Sequence, residues 1–101
     1  MAEIDISSKL GKEKRTIKLA EGKEFEVDNS ADTYLIVQEK LKNQDFSISS
    51  MYEMIEILMG KEALKEIKDM KLTIDGLRSV IIAISAIVSE VEFEEMEKRF
   101  Q

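Results

Sequence analysis

The side chains in this sequence best placed for acid or base chemistry are carboxylates, and they come in pairs at helical spacing. Glu53 with Glu56 and Glu62 with Glu66 stand three and four residues apart, so each pair falls on one face of a helix. Two carboxylates can divide acid and base work only when their surroundings push their pKa values apart, and nothing near these pairs isolates them from water. Solvated surface charge is therefore their expected role. The chain contains no His and no Cys, which removes thiol nucleophiles, disulfide frameworks, imidazole bases and the usual zinc ligand sets. Its four glycines stand singly at Gly11, Gly22, Gly60 and Gly76, a spacing that cradles no phosphate. These absences point away from an enzyme and from any cofactor or metal, and towards a protein that works by binding other chains.

Charge narrows the choice of partner. A formal net charge of -6, with both signs interspersed, keeps a small domain soluble and works against attraction to nucleic acid or to anionic lipid. The acidic excess falls in residues 31 to 60, which carry Asp32, Glu39, Asp45, Glu53 and Glu56, and in the C-terminal Glu90, Glu92, Glu94, Glu95 and Glu97. Such runs usually keep a surface wet. The longest uncharged run, Ser79 to Ser89, falls well short of the roughly 20 apolar residues of a membrane span. Glu3 and Asp5 near the start give no cationic or apolar leader pattern, so a cytosolic chain is expected.

At 101 residues the chain is expected to form one domain with a modest core. Residues 1–13, with Ile4 and Ile6 among polar neighbours, read as an arm or a frayed strand. From Lys14 the alternation sharpens: Ile17 and Leu19, the turn Glu21-Gly22, then Phe25 and Val27 predict a β-hairpin over 14–28. Such a hairpin needs helices behind it or a strand from another chain beside it. Asn29 or Ser30 can cap a helix over 30–43 that carries Tyr34 to Val37 and Leu41. Ser50 and Glu53 form a capping-box pattern for a helix over 49–59 with Met51, Tyr52, Ile55, Leu58 and Met59 on one face, ended by Gly60. A short helix over 61–70 buries Leu64 and Ile67. Thr73 caps the next, over 73–88, with Leu72 and Leu77 in staple positions. That segment is β-branched and nearly apolar all round after Arg78, so Val80 to Val88 could also be a strand. Ser89 and Glu92 offer a further capping box for a last helix over 90–100. The expected fold is α+β and mainly α: an N-terminal hairpin followed by a bundle of four to five helices.

The apolar helix is the outstanding feature, because a helix without a polar face is buried on every side and small bundles seldom enclose one fully. It is either an ordinary central helix or one covered partly by a second copy or a client chain. Gly76 within it marks either close approach of another helix or a tolerated exception. Among the six Met residues, Met54 lies off the core stripe of its helix and could serve an adaptable apolar surface.

The order of these features resembles the tail assembly chaperones of long-tailed bacteriophages and prophages. The resemblance runs from about Thr16 onward and is carried by the hairpin Ile17-Lys18-Leu19-Ala20-Glu21-Gly22-Lys23-Glu24-Phe25-Glu26-Val27. It continues through Leu58-Met59-Gly60-Lys61-Glu62-Ala63-Leu64, the Ile/Val-rich helix and the acidic tail Met96-Glu97-Lys98-Arg99-Phe100. It lies in general pattern and supplies no residue-by-residue functional motif. It implies a short, non-frameshifted chaperone of the host bacterial cytoplasm, absent from the mature virion. Such a protein keeps the tape measure protein soluble and assists tail tube protein subunits in polymerising around it. With that role, contact residues are expected on the apolar helix at Ile81 and Ile84, on the last helix at Phe93, Met96 and Phe100, and at Met54, together with self-association. The alternative is a small acidic regulator or DNA-mimic inhibitor, seated in a partner's basic groove through Glu90 to Glu97.

Overall fold

A computed structural model describes residues 2–11, 15–40 and 47–100. Its elements are β1 (Arg15–Ala20), β2 (Lys23–Val27), α1 (Ala31–Lys40), α2 (Ile48–Met59), α3 (Lys61–Asp69), α4 (Ile74–Ser89) and α5 (Phe93–Arg99). The chain is α+β and mainly α, as its patterning predicts. Residues 2–11 hold one 3-10 turn, Ser7–Lys9, rather than a strand. Asp5 accepts hydrogen bonds from the Ser7 amide at 3.0 Å and the Ser7 hydroxyl at 2.7 Å. These bonds, the amide first, hold its carboxyl below the ordinary value.

The hairpin forms where alternation places it. Ile17 faces Phe25 and Arg15 faces Val27 in an antiparallel register, with an irregularity between Lys18 and Ala20. Gly22 closes the turn at φ +73°, a conformation that strains residues with a Cβ. Ile17 and Val27 are buried and Leu19 and Phe25 half-buried, so one face lies on the helices and packing at home explains it. The Asp28 amide then donates to Leu58 O at 2.8 Å, fastening the end of β2 to α2.

Ser30 caps α1: its hydroxyl accepts from the Thr33 amide at 3.3 Å, and the Asp28 carboxylate accepts from the Ser30 amide at 3.1 Å and the Thr33 hydroxyl at 2.7 Å. The last predicted turn of this helix, 41–43, lies outside the described residues. Ser47, not Ser50, caps α2. Ser47 has the extended backbone a cap needs, its hydroxyl accepts from the Ser50 amide at 3.2 Å, and the Ser50 hydroxyl bonds the Ser47 amide at 3.0 Å. Ser50 thus fills the reciprocal place usually held by Glu. Gly60, at φ 98° and ψ 167°, ends α2 and begins α3 in a single residue.

The segment 80–88 is helical, which settles the helix-or-strand choice. Thr73 is its cap, accepting from the Gly76 amide at 3.0 Å. Removing this acceptor by Thr73→Ala is expected to cost about 1 kcal/mol, read as a lowered urea midpoint with unchanged slope. A Cβ at Gly76 would meet Leu72 and Thr73 of the preceding turn, at 3.3 and 3.4 Å, so the close approach comes from the chain's own cap and not from another helix.

The last helix starts later than its predicted capping box. Ser89 stays within α4, and Glu90 turns left-handed at φ 57° and ψ 39°. The Glu90 amide donates to Ile87 O at 3.2 Å and the Val91 amide to Ala86 O at 3.0 Å, a Schellman closure. Glu92 then precedes α5, and its side chain makes no cap bond. The chain reverses here because Val91, Phe93, Met96 and Phe100 close on Ile82 and Ala86.

Among the described residues two apolar clusters result. The main core joins Ile17 and Val27 of the hairpin to Val37, Met51, Ile55, Leu58 and Ile67, and to Leu77, Val80, Ile81, Ile84 and Ile87 of α4. The second lies on another side of α4 and unites Ile82 and Ala86 with Met96. The apolar helix is thus sandwiched between the main core and its own C-terminal neighbour. Among the described residues no helix is long and apolar enough to cross a membrane.

Candidate apolar binding groove

Beside the hairpin, α4 leaves an open groove of about 300 Å³. Its floor is Val80 and Ala83, one wall is Ile17 and Leu19 of β1, the other is Phe93 at the start of α5, and Met70 and Leu72 close one end. The wall exists because hairpin alternation turns Ile17 and Leu19 to the helix side, and because the reversal at Glu90 brings Phe93 back along α4. Met70 is 38% exposed and Leu19, Leu72, Ala83 and Phe93 are half-buried, so the lining is reachable by an apolar side chain from outside. A second cleft, about 260 Å³, lies between the start of α4 and the end of α5 and is lined by Asp75, Arg78, Ser79, Ile82, Glu97 and Phe100.

The expected contact residues divide sharply between surface and core. Phe93 lines the groove and Phe100 the cleft. Met96 is only 5% exposed and packs between α4 and α5. Ile81 and Ile84, where contact residues are expected, are fully buried in the main core, and both side chains are occupied by the chain's own hairpin and helices. Met54 is half-buried against the main core. Leu19 and Met70 also line the groove; alternation and helical spacing mark such residues as apolar without saying which remain open to the outside. Elsewhere, Leu35 and Ile36 are exposed on α1: Tyr34 to Val37 are four consecutive apolar residues, and one helix can turn only part of such a run towards the core.

The carboxylates show their work in the same geometry. Glu66 meets Lys23 at 3.2 Å and ties α3 to the hairpin, a partly exposed contact worth under about 1 kcal/mol. Among the described residues no group of three or more Asp or Glu gathers to hold a metal ion. Glu90, Glu92, Glu94, Glu95 and Glu97 are all exposed, with Glu95 accepting from Arg99 at 3.5 Å. The groove's lining is apolar apart from Lys18 and Ser79. No protein-family model, curated protein or solved structure matches this chain.

Proposed function

We propose that this protein is a tail assembly chaperone of the long-tailed bacteriophage type, which holds an apolar, helical tape measure protein in solution until tail tube subunits close around it. The observation that carries the reading is the open groove of Leu19, Met70, Leu72, Val80, Ala83 and Phe93 on an otherwise acidic chain. A helix-in-groove contact takes one or two apolar side chains from the exposed stripe of a client helix and removes them from water. The acidic remainder of the surface keeps many copies apart along one long client. The expected setting is the host bacterial cytoplasm, with the protein absent from finished particles.

Co-expression with the tape measure protein from a neighbouring gene tests this. Met70→Glu places a charge at the groove's exposed end without touching the core, and is expected to lower soluble client severalfold while the variant itself stays folded by circular dichroism. Unchanged client solubility with a folded variant would overturn the reading. The exposed glutamates of the C-terminal end favour a second reading, a DNA-mimic inhibitor seated in a basic groove. The two differ in salt dependence. Binding through carboxylates weakens steeply between about 50 and 200 mM salt, whereas apolar shielding does not.

A further inference from the structure

The second apolar cluster has a property that the folded chain does not require. Its Ile82, Ala86, Phe93, Met96 and Phe100, with the exposed Ser89 completing the series, are spaced 4, 3, 4, 3 and 4 residues apart, the period of a coiled-coil seam. Yet the helix is broken in the middle of that seam, at Glu90, and the second half is folded back on the first. No Gly or Pro lies between Ser79 and Arg99, so local sequence does not demand a break there. The break instead puts a glutamate at φ 57°, a left-handed conformation that non-glycine residues adopt at a cost. What holds the reversal is chiefly the burial of Met96 and the half-buried Phe93 and Phe100 against α4. The α5 helix itself has only seven residues, too few to be stable alone.

We propose that α4 and α5 open into one continuous helix, Ile74 to Arg99, and that two copies of the chain then pair antiparallel along this seam, each taking the other's α5 onto its α4. The occupant of the uncovered face is a second copy, because the surface complementary to Ile82 and Ala86 is the one already seated on it. Phe100 and Ile82 line the same cleft in the folded-back chain. An antiparallel pair of continuous helices restores that neighbour relation between chains and that of Ala86 with Met96, and in the same register moves Phe93 out of the groove to a place opposite Ser89 of the other chain. The resulting interface is isologous and closes at two copies. Opening relieves the left-handed strain at Glu90 and extends the helix through residues that favour it, which offsets the loss of entropy on pairing. On the other side of α4 the only residue of α5 or its C-terminal cap packed against the main core, among the described residues, is Phe100, whose place the partner's Phe100 takes, so the rest of each protomer keeps its fold. The inference is independent of which client the groove takes.

Residue 90 discriminates the two states. Glycine favours the left-handed reversal and disfavours a continuous helix, whereas alanine does the opposite. Sedimentation equilibrium should give a dimer dissociation constant at least about tenfold weaker for Glu90→Gly than for Glu90→Ala, with the unsubstituted chain between them. The chain has no cysteine, so a second measurement is clean. Ile82 and Phe100 line the same cleft and face each other in the paired register. Equal amounts of two single variants, Ile82→Cys and Phe100→Cys, are mixed under mild oxidation. A mixed Ile82→Cys to Phe100→Cys disulfide joins the chains only when one copy's α5 lies on the other's α4, and its yield should rise when both proteins also carry Glu90→Ala. A monomer at all concentrations for Glu90→Ala, a dimer indifferent to residue 90, or a dimer without the mixed link would each overturn the proposal.

Discussion

Ile84→Ala is expected to destabilise the fold by about 3 to 4 kcal/mol, the largest loss among the conservative substitutions considered. Ile84 is fully buried, in one cluster with Ile55, Leu58, Ile67 and Ile81, and it lies on the side of α4 where the hairpin and α2 also pack. Removing three carbons from this point loses their transfer free energy and leaves a cavity that surrounding helices can only partly close. A domain of this size holds roughly 5 to 10 kcal/mol in total, so the variant should keep its fold only narrowly. Urea unfolding followed by circular dichroism should show a midpoint lower by about 2 M for a slope near 1.5 kcal/mol/M. A loss below about 1 kcal/mol would mean that this side of α4 is not core, and would restore Ile84 as a candidate contact residue. Met70→Glu, by contrast, should leave the midpoint nearly unchanged, since Met70 is 38% exposed.

Gly60→Ala is expected to cost about 2 kcal/mol by a different route. Gly60 sits at φ 98° and ψ 167°, a region that residues with a Cβ essentially never occupy. Nothing lies within 4 Å of where that Cβ would be, so crowding plays no part and the whole effect is backbone strain. The strain cannot be relieved locally, because Gly60 bonds through its amide to Glu56 O at 3.0 Å and through its carbonyl to the Leu64 amide at 3.2 Å. Moving φ to negative values would redirect α3 relative to α2 and separate Ile67 from Ile55 and Leu58. Thermal unfolding should fall by about 10 °C in a domain of this size. A D-alanine introduced at the same position by chemical ligation favours positive φ and should recover most of the loss. If L-alanine and D-alanine behave alike, backbone handedness is not what Gly60 supplies.

Both predictions bear on the binding role, since they separate residues that hold α4 in place from residues that face a partner. The groove's walls come from three distant parts of the sequence: Leu19 from β1, Met70 and Leu72 from the α3–α4 link, and Phe93 from α5. A client contact there depends on α5 staying folded back, as Phe93 is one of its walls. Opening of α4 and α5 therefore dismantles the groove as it creates the antiparallel seam. The two events compete, and a client bound in the groove favours the closed monomer by its differential affinity for that state.

Local physics made much of the architecture legible from the residues alone. Alternation with Gly22 specified the hairpin, Ser30 and Thr73 announced two helix starts, and Gly60 announced an end, because each signal acts within a few residues through a dihedral or a backbone hydrogen bond. Absence of His and Cys bounded the chemistry just as directly. Where two equally good local answers existed, the choice passed to packing. Ser47 and Ser50 can both cap a helix, and Ser50 was drawn inside the first turn at 7% exposure. Ser89 could have capped a last helix, but burial of Phe93, Met96 and Phe100 on α4 kept it in the helix before and moved the break to Glu90. The apolar helix is the clearest case. Its sequence alone determines that it is shielded from water, since nearly every residue from Val80 to Val88 is apolar. A helix apolar on all sides has no periodicity to say which side meets which neighbour, so only the tertiary structure decided that Ile81 and Ile84 are core, that Ile82 and Ala86 lie beneath α5, and that Val80 and Ala83 floor a groove left open.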